Sequence, residues 1–194
     1  DNQAKKLITY AASFGNTTLE KLRKYKKIDE IGKYLKQFDA ISVRDENSGD
    51  IVEQLTKRIP IYNLDPVLVY DYMNSCDKIP QIKIKEKYLV LYAYAGRISN
   101  IEADWIKVYA KKRGLKVYAI GGIQKCADRF IDCTPFEVLS YFKNAEEIIT
   151  DTFHGSIFSV ITHRPFVTLI RKSIGNSYGN EEKLSDLLKR LELA

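Results

Sequence analysis

"EEIITDTFHGSIFSVITHRPFVTLI" runs from Glu146 to Ile170. Its opening, "EEIIT", is a short β-rich run, "FHGSIFSVITH" reads as a helix, and "RPFVTLI" reads as another strand. Strand, helix and strand joined by so few residues leave only a parallel arrangement, with the helix crossing one face of the sheet. Asp151 and Thr152 stand where the first strand turns into the helix, and either can cap it. His154 then falls in the first helical turn. Gly155 and Ser156 behind it are small enough to let a ligand come close.

The same alternation extends outward. "KYLVLYAYA" (87–95) has no polar alternation, as expected of a strand covered on both faces. "IEADWIKVYAKKRG" is a helix closed by Gly114, and "LKVYAIGG" is a strand. "TPFEVLSYFKNA" is a helix with Thr134 as N-cap, Pro135 at the first helical position and Glu137 completing a capping box. "EEKLSDLLKRLEL" is a terminal amphipathic helix. Towards the N-terminus, Lys6–Ser13 is expected as a strand and Thr17–Gln37 as a basic helical stretch. "DAISVRD", Asp39–Asp45, is a second strand. "NSGDIVEQLTKR" is a helix capped by Asn47 or Ser48, and "IPIYNLDPVLVY" a strand ending at Asp65-Pro66. The polar stretch Asp71–Gln81 lacks periodicity and reads as a linker. The expected fold is α/β: a Rossmann-like parallel sheet with helices on both faces, preceded by part of a second α/β domain. Residues 1–75 are the end of a first Rossmann-like domain, and residues 76–194 a second one.

The 194 residues are 45% hydrophobic, with 13 Tyr and 8 Phe, which excludes a disordered chain. No apolar run is long enough to span a bilayer, and the N-terminal stretch lacks the apolar core of a signal peptide. Three widely spaced cysteines fit neither a disulfide framework nor a zinc site, so a reducing, cytoplasmic setting is expected. The net charge of +6 suits anionic ligands or an anionic membrane face. The run "KLRKYKK", Lys21–Lys27, is either a solvated helix face or a contact with the inner face of the membrane. Zinc-finger and RRM signatures are absent, and nucleic acid is not an expected partner.

A strand that delivers its C-terminal end to a helix N-terminus offers backbone N–H groups and a positive dipole end. That favours phosphates and carboxylates. His154 is therefore either a contact to an anion or a hydrogen-bonded structural histidine. His163, nine positions later, lies about half a turn away at ~100° per residue, so the two histidines cannot share a metal from one helix face. His163 is read as ending the helix. Arg44 stands at a strand end, either clamping an anion in its planar fork or paired with Asp45 or Glu46. Gly121-Gly122 is a glycine turn that lacks the dinucleotide fingerprint. No metal and no cofactor is expected.

"SVRDENS", "LDPVLV", "PFEVLSYFKNAEEIITDTFHGSIFSVITHRPFV" and "KLSDLLKRLEL" resemble, in this order, the polysaccharide pyruvyl transferase family. Its members have two Rossmann-like domains arranged as in B-type glycosyltransferases. The resemblance implies that residues 76–194 form the donor-binding domain, and that phosphoenolpyruvate donates its enolpyruvyl group to two hydroxyls of a sugar in cell-surface polysaccharide synthesis. The acceptor would be a sugar or a lipid-linked oligosaccharide. It implies Arg44 and His154 as catalytic residues. Arg44, Thr152, Phe153, His154, Gly155 and Ser156 are the implied donor-binding residues. Family members often carry Arg-Leu-His where this chain has Thr152-Phe153-His154. They often carry an Arg after an Asn-Ser pair where this chain has Asn176-Ser177 and then Lys183. A nucleotide-sugar glycosyltransferase of the same architecture and a non-catalytic anion- or glycan-binding module are the alternatives.

Overall fold

The computed structural model describes residues 4–172 and 181–193. The comparison at Asn176-Ser177 lies outside the described residues. Two compact units result: Asp1–Val69 with Ser185–Ala194, and Tyr70–Leu184.

In the N-terminal unit the strand expected over Lys6–Ser13 is reduced to two single parallel bridges, Ile8 with Ala40 and Ala12 with Val43. Ala11, between them, has φ of +48°, a left-handed conformation that no ladder accommodates. Side chains fill the gap. Ser42 Oγ accepts the Ala11 N–H at 2.8 Å, and Thr9 Oγ1 accepts the Ser42 N–H at 2.8 Å. The basic stretch is two helices, α1 (Leu19–Lys24) and α2 (Ile28–Leu35), rather than one. Lys26 takes φ of +54°, and the N–H groups of Lys26 and Lys27 bond back to the carbonyls of Arg23 and Leu22. That left-handed stop usually falls to glycine.

β1 (Ser42–Val43) is followed by α3 (Glu46–Thr56), β2 (Ile61–Tyr62) and α4 (Pro66–Val69). β1 and β2 pair in parallel. Ile41 and Val43 bury against Leu35 and Val52. The cap of α3 is Asp45, whose Oδ1 accepts the Ser48 N–H at 2.8 Å. Asn47 and Ser48, expected there, are otherwise engaged. The Ser48 hydroxyl accepts the Phe14 N–H, and the Asn47 amide donates to the Thr17 carbonyl.

The C-terminal unit begins with one helical turn, α5 (Tyr72–Ser75), inside the stretch read as a linker. There follow β3 (Tyr88–Tyr92), α6 (Asn100–Arg113), β4 (Lys116–Ile120), β5 (Arg129–Ile131), α7 (Pro135–Asn144), β6 (Glu147–Thr150), α8 (Phe153–Ile161) and β7 (Phe166–Thr168). The five strands form one sheet in the order β5-β4-β3-β6-β7, every pair parallel. The last helix, α9 (Glu181–Arg190), starts in this unit and from Ser185 onward belongs to the N-terminal one. β5 is a strand that its three-residue, largely exposed run did not announce. Both faces of β3 are covered, as its unbroken apolar run requires. Leu89 and Leu91 pack with Ala103, Ile106 and Ala110 of α6. Tyr88 and Val90 pack with Val138 and Phe142 of α7. Ser99 with Glu102 opens α6, Thr134 with Glu137 opens α7, and both are complete capping boxes. Gly114, at φ of +68°, closes α6.

Replacing Ser42 by alanine would leave the buried Ala11 N–H without its acceptor. The expected cost is about 1–3 kcal/mol, read as a lower urea midpoint. An unchanged midpoint would show that the hydroxyl does not close the gap.

Candidate functional site at the strand-order reversal

From β3 the chain builds the sheet outward through β4 and β5, then returns to the other side of β3 with β6 and β7. The order therefore reverses between β3 and β6. In open parallel sheets such a reversal leaves a crevice at the carboxyl ends of the strands, where ligands bind. The turn that carries His154 leaves β6 there, and the loop from Ala93 to Ser99 leaves β3 beside it.

A chain of hydroxyls fixes the start of α8. Thr150 Oγ1 donates to the Tyr92 carbonyl at 2.8 Å, tying the two strand ends together. It accepts the Thr152 N–H at 3.1 Å and lies 3.1 Å from Thr152 Oγ1. Thr152, not Asp151, is the N-cap, and its Oγ1 accepts the Gly155 N–H at 2.9 Å. Gly155 is small for this packing. A Cβ there would stand 2.0 Å from Thr150 Oγ1 and 2.7 Å from Thr152 Oγ1. Ser156 is buried, its hydroxyl 2.9 Å from Thr168 Oγ1 of β7.

Thr152, Gly155 and Ser156 thus build the helix start from within. Phe153 is half-buried and His154 is exposed. The imidazole lies edge-on to Phe153, with centroids 5.5 Å apart, and 6.0 Å from Phe158. It is set at the end of a helix whose first-turn dipoles favour negative charge. His163 ends the same helix, as its position suggested. It takes φ of +52°, its N–H bonds to the Val160 carbonyl, and the Arg164 N–H bonds to that of Ser159.

The β3–α6 loop brings charges that the sequence reading did not single out. Asp151 is fully buried, and its carboxylate lies 4.0 Å from the Arg97 guanidinium. Arg97 lies over the Tyr94 ring, 4.5 Å from its centroid. Arg171, beyond β7, pairs with Glu102 of α6. Burial pushes the Asp151 carboxyl above its ordinary value, although Arg97 and Arg171 pull it down. Glu102 goes the other way. Burial acts to raise it, but hydrogen bonds from Arg171 and Ser99 outweigh that and lower it. Gly96 (φ of +76°), next to Arg97 in a turn just past a strand end, was the signal available. The loop is also held from beneath. Gln124 Nε2 donates to the Ala93 and Tyr94 carbonyls at 3.2 and 3.1 Å. The Gly121-Gly122 turn packs so tightly there that a Cβ on Gly122 would lie 2.2 Å from the Ala95 nitrogen.

Arg44 belongs to the N-terminal unit. Its partner is neither Asp45 nor Glu46 but buried Asp65, at 2.7 Å. Asp65 also accepts the Val67 N–H at 3.0 Å through its other oxygen. The "LDP" stretch therefore orients Arg44 as well as turning the chain. Arg190 of α9 donates to the Arg44 carbonyl at 2.7 Å and to the Asn63 carbonyl at 3.3 Å, bracing the ends of β1 and β2.

Among the described residues no three His, Cys, Asp or Glu side chains cluster to hold a metal. No helix among them is long and apolar enough to cross a membrane. The C-terminal unit is thus a doubly wound α/β unit that carries His154, Arg97 and Asp151 on the segments leaving its strand-order reversal. The sequence model of the polysaccharide pyruvyl transferase family matches residues 1–173, and the chain belongs to that family. No curated protein matches it. Among solved structures, E. coli heptosyltransferase WaaC with ADP-2-deoxy-2-fluoro heptose is similar over 85% of this chain and 70% of that chain, at 10% identity and a TM-score of 0.41. The same enzyme with ADP is similar over 84% and 69%, at 11% identity and a TM-score of 0.42.

A carboxyl raised on folding favours the folded state while it is protonated. That contribution is complete below the ordinary carboxylate range and is lost as pH rises through the raised value. Asp151→Asn, which has no charge to bury, should therefore gain on the wild type as pH rises from acid to neutral, measured as the difference in Tm. A difference that moves in favour of the wild type would mean that Arg97 and Arg171 outweigh the burial.

Proposed function

We propose that the protein transfers the pyruvyl group of phosphoenolpyruvate to two hydroxyls of a sugar, forming a pyruvate ketal in cell-surface polysaccharide synthesis. The observation that carries this reading is His154, exposed on the first turn of α8 at the strand-order reversal of a pyruvyl transferase family member. The donor carries a phosphate and a carboxylate, and a helix N-terminus flanked by guanidinium groups suits both.

The reaction balances without a cofactor. A proton adds to the methylene carbon, which becomes the methyl group, and the neighbouring carbon becomes electrophilic. One sugar hydroxyl adds there and gives up its proton. The phosphate leaves with the electron pair of its C–O bond. The second hydroxyl bonds to the same carbon and closes the ketal. Of the two hydroxyl protons, one balances the new methyl group and the other leaves on the phosphate. On this reading His154 holds the departing phosphate and protonates it. Family resemblance assigns Arg44 to the donor's anionic groups, and in its own unit Asp65 holds its guanidinium. Phe153 and the small residues behind it shape the donor subsite. The acceptor is a sugar or lipid-linked oligosaccharide, and the work is done in the cytoplasm at the inner face of the membrane. The basic run Lys21–Lys27 suits an anionic lipid surface.

Calorimetry with phosphoenolpyruvate and, separately, with nucleotide-sugars tests the donor. Binding of a nucleotide-sugar in place of phosphoenolpyruvate would assign the protein to glycosyl transfer instead. His154→Ala should lower kcat/KM by at least ~100-fold while Tm stays close to the wild type, and Arg44→Ala should lower it as much in a folded protein whose Tm falls through loss of the ion pair with buried Asp65. Retained transfer in either variant would remove that residue from the donor site.

A further inference from the structure

The crevice between β3 and β6 has a second wall that the family-derived assignment leaves unused. His154 stands on the β6 side, exposed on the first turn of α8. On the β3 side the loop Ala93–Ser99 presents Arg97. Three features make this arginine a built element. Its guanidinium lies 4.5 Å from the centroid of the Tyr94 ring, which restricts it to one plane. Its Nη1 stands 4.0 Å from a carboxylate, Asp151, that is fully buried and directly precedes the α8 cap. The loop backbone beneath it is pinned by Gln124 and by the close approach of Gly122. The Asp151 carboxylate is kept in a place where burial disfavours its charge. An arrangement selected only for stability would have no need of it. Its position gives it a use: it fixes one edge of a guanidinium whose side chain is 27% exposed.

We propose that Arg97 is an anion-binding residue of the crevice. It takes an anionic group of the donor in its planar fork, with Tyr94 and Asp151 as its positioning residues. For phosphoenolpyruvate this assignment rests on the proposed function. For a simple anion it does not. A planar fork receives two oxygens at once, which a lysine ammonium cannot do. The crevice thus offers one anion subsite on the helix N-terminus and another on the opposite loop.

The test is calorimetry of the protein with phosphoenolpyruvate and with inorganic phosphate, comparing wild type with Arg97→Gln, Arg97→Lys and Asp151→Asn. Arg97→Gln keeps the stem on Tyr94, and its Tm and circular dichroism report whether the loop stays folded. The expected result is a Kd for phosphoenolpyruvate raised roughly 10- to 100-fold in Arg97→Gln. Arg97→Lys should recover little of this, and Asp151→Asn should show a smaller loss in a variant that is folded and at least as stable as the wild type at neutral pH. Wild-type affinity for phosphoenolpyruvate in a folded Arg97→Gln variant would overturn the role of Arg97 and leave the proposed function standing. If the wild type binds phosphate but not phosphoenolpyruvate, the proposed function fails, and weakened phosphate binding in Arg97→Gln still upholds the subsite. Wild-type protein that binds neither anion overturns both.

Discussion

The hydroxyl of Thr150 does three things at the end of β6: it bonds to the Tyr92 carbonyl of β3, receives the Thr152 N–H, and sits against the hydroxyl of the α8 cap. Two strands far apart in sequence are thereby locked at the level where the chain leaves the sheet, and the start of α8 is set relative to both. The direction in which His154 faces follows from that lock. So does the glycine at 155, since a Cβ would occupy the place of that hydroxyl. The crevice is thus a consequence of sheet topology made exact by one short polar side chain.

Much of the C-terminal unit was readable because its signals are local. Thr134, Pro135 and Glu137 announce one helix, Gly114 ends another, and the unbroken apolar run of β3 fixes its depth in the sheet. The N-terminal unit was harder for an equally physical reason. Its breaks fall on Ala11 and Lys26, residues that rarely adopt positive φ and carry no mark of it in the sequence. The strand expected before Ala11 was lost because Ser42 and Thr9 side chains replace the ladder, and no periodicity reports such an exchange.

The candidate site divides the same way. His154 was legible because it sits in a strand-to-helix turn whose capping residues are adjacent to it. Arg97 was not, because its meaning comes from Asp151, which reaches it across the order reversal of the sheet. Arg44 was singled out, but of the two readings offered for it, the pairing one named its sequence neighbours and not Asp65. Asp45 is consumed as the cap of α3, leaving Asp65 from the end of the next strand. Thr152, read both as a candidate cap and as a contact to ligand, is the cap, its Oγ1 accepting the Gly155 N–H.

The contact between Gly122 and the backbone at Ala95 carries a lesson for anyone who would redesign this protein. A crevice wall is ordinarily altered by changing the side chains that line it. Here the height of the loop bearing Tyr94 and Arg97 is governed by a residue that lines nothing and whose side chain is a hydrogen atom. Mutational libraries confined to lining positions would leave this control untouched. A single methyl group at 122 would force the turn and the loop backbone at Tyr94-Ala95 apart, altering the wall without touching a side chain that lines it.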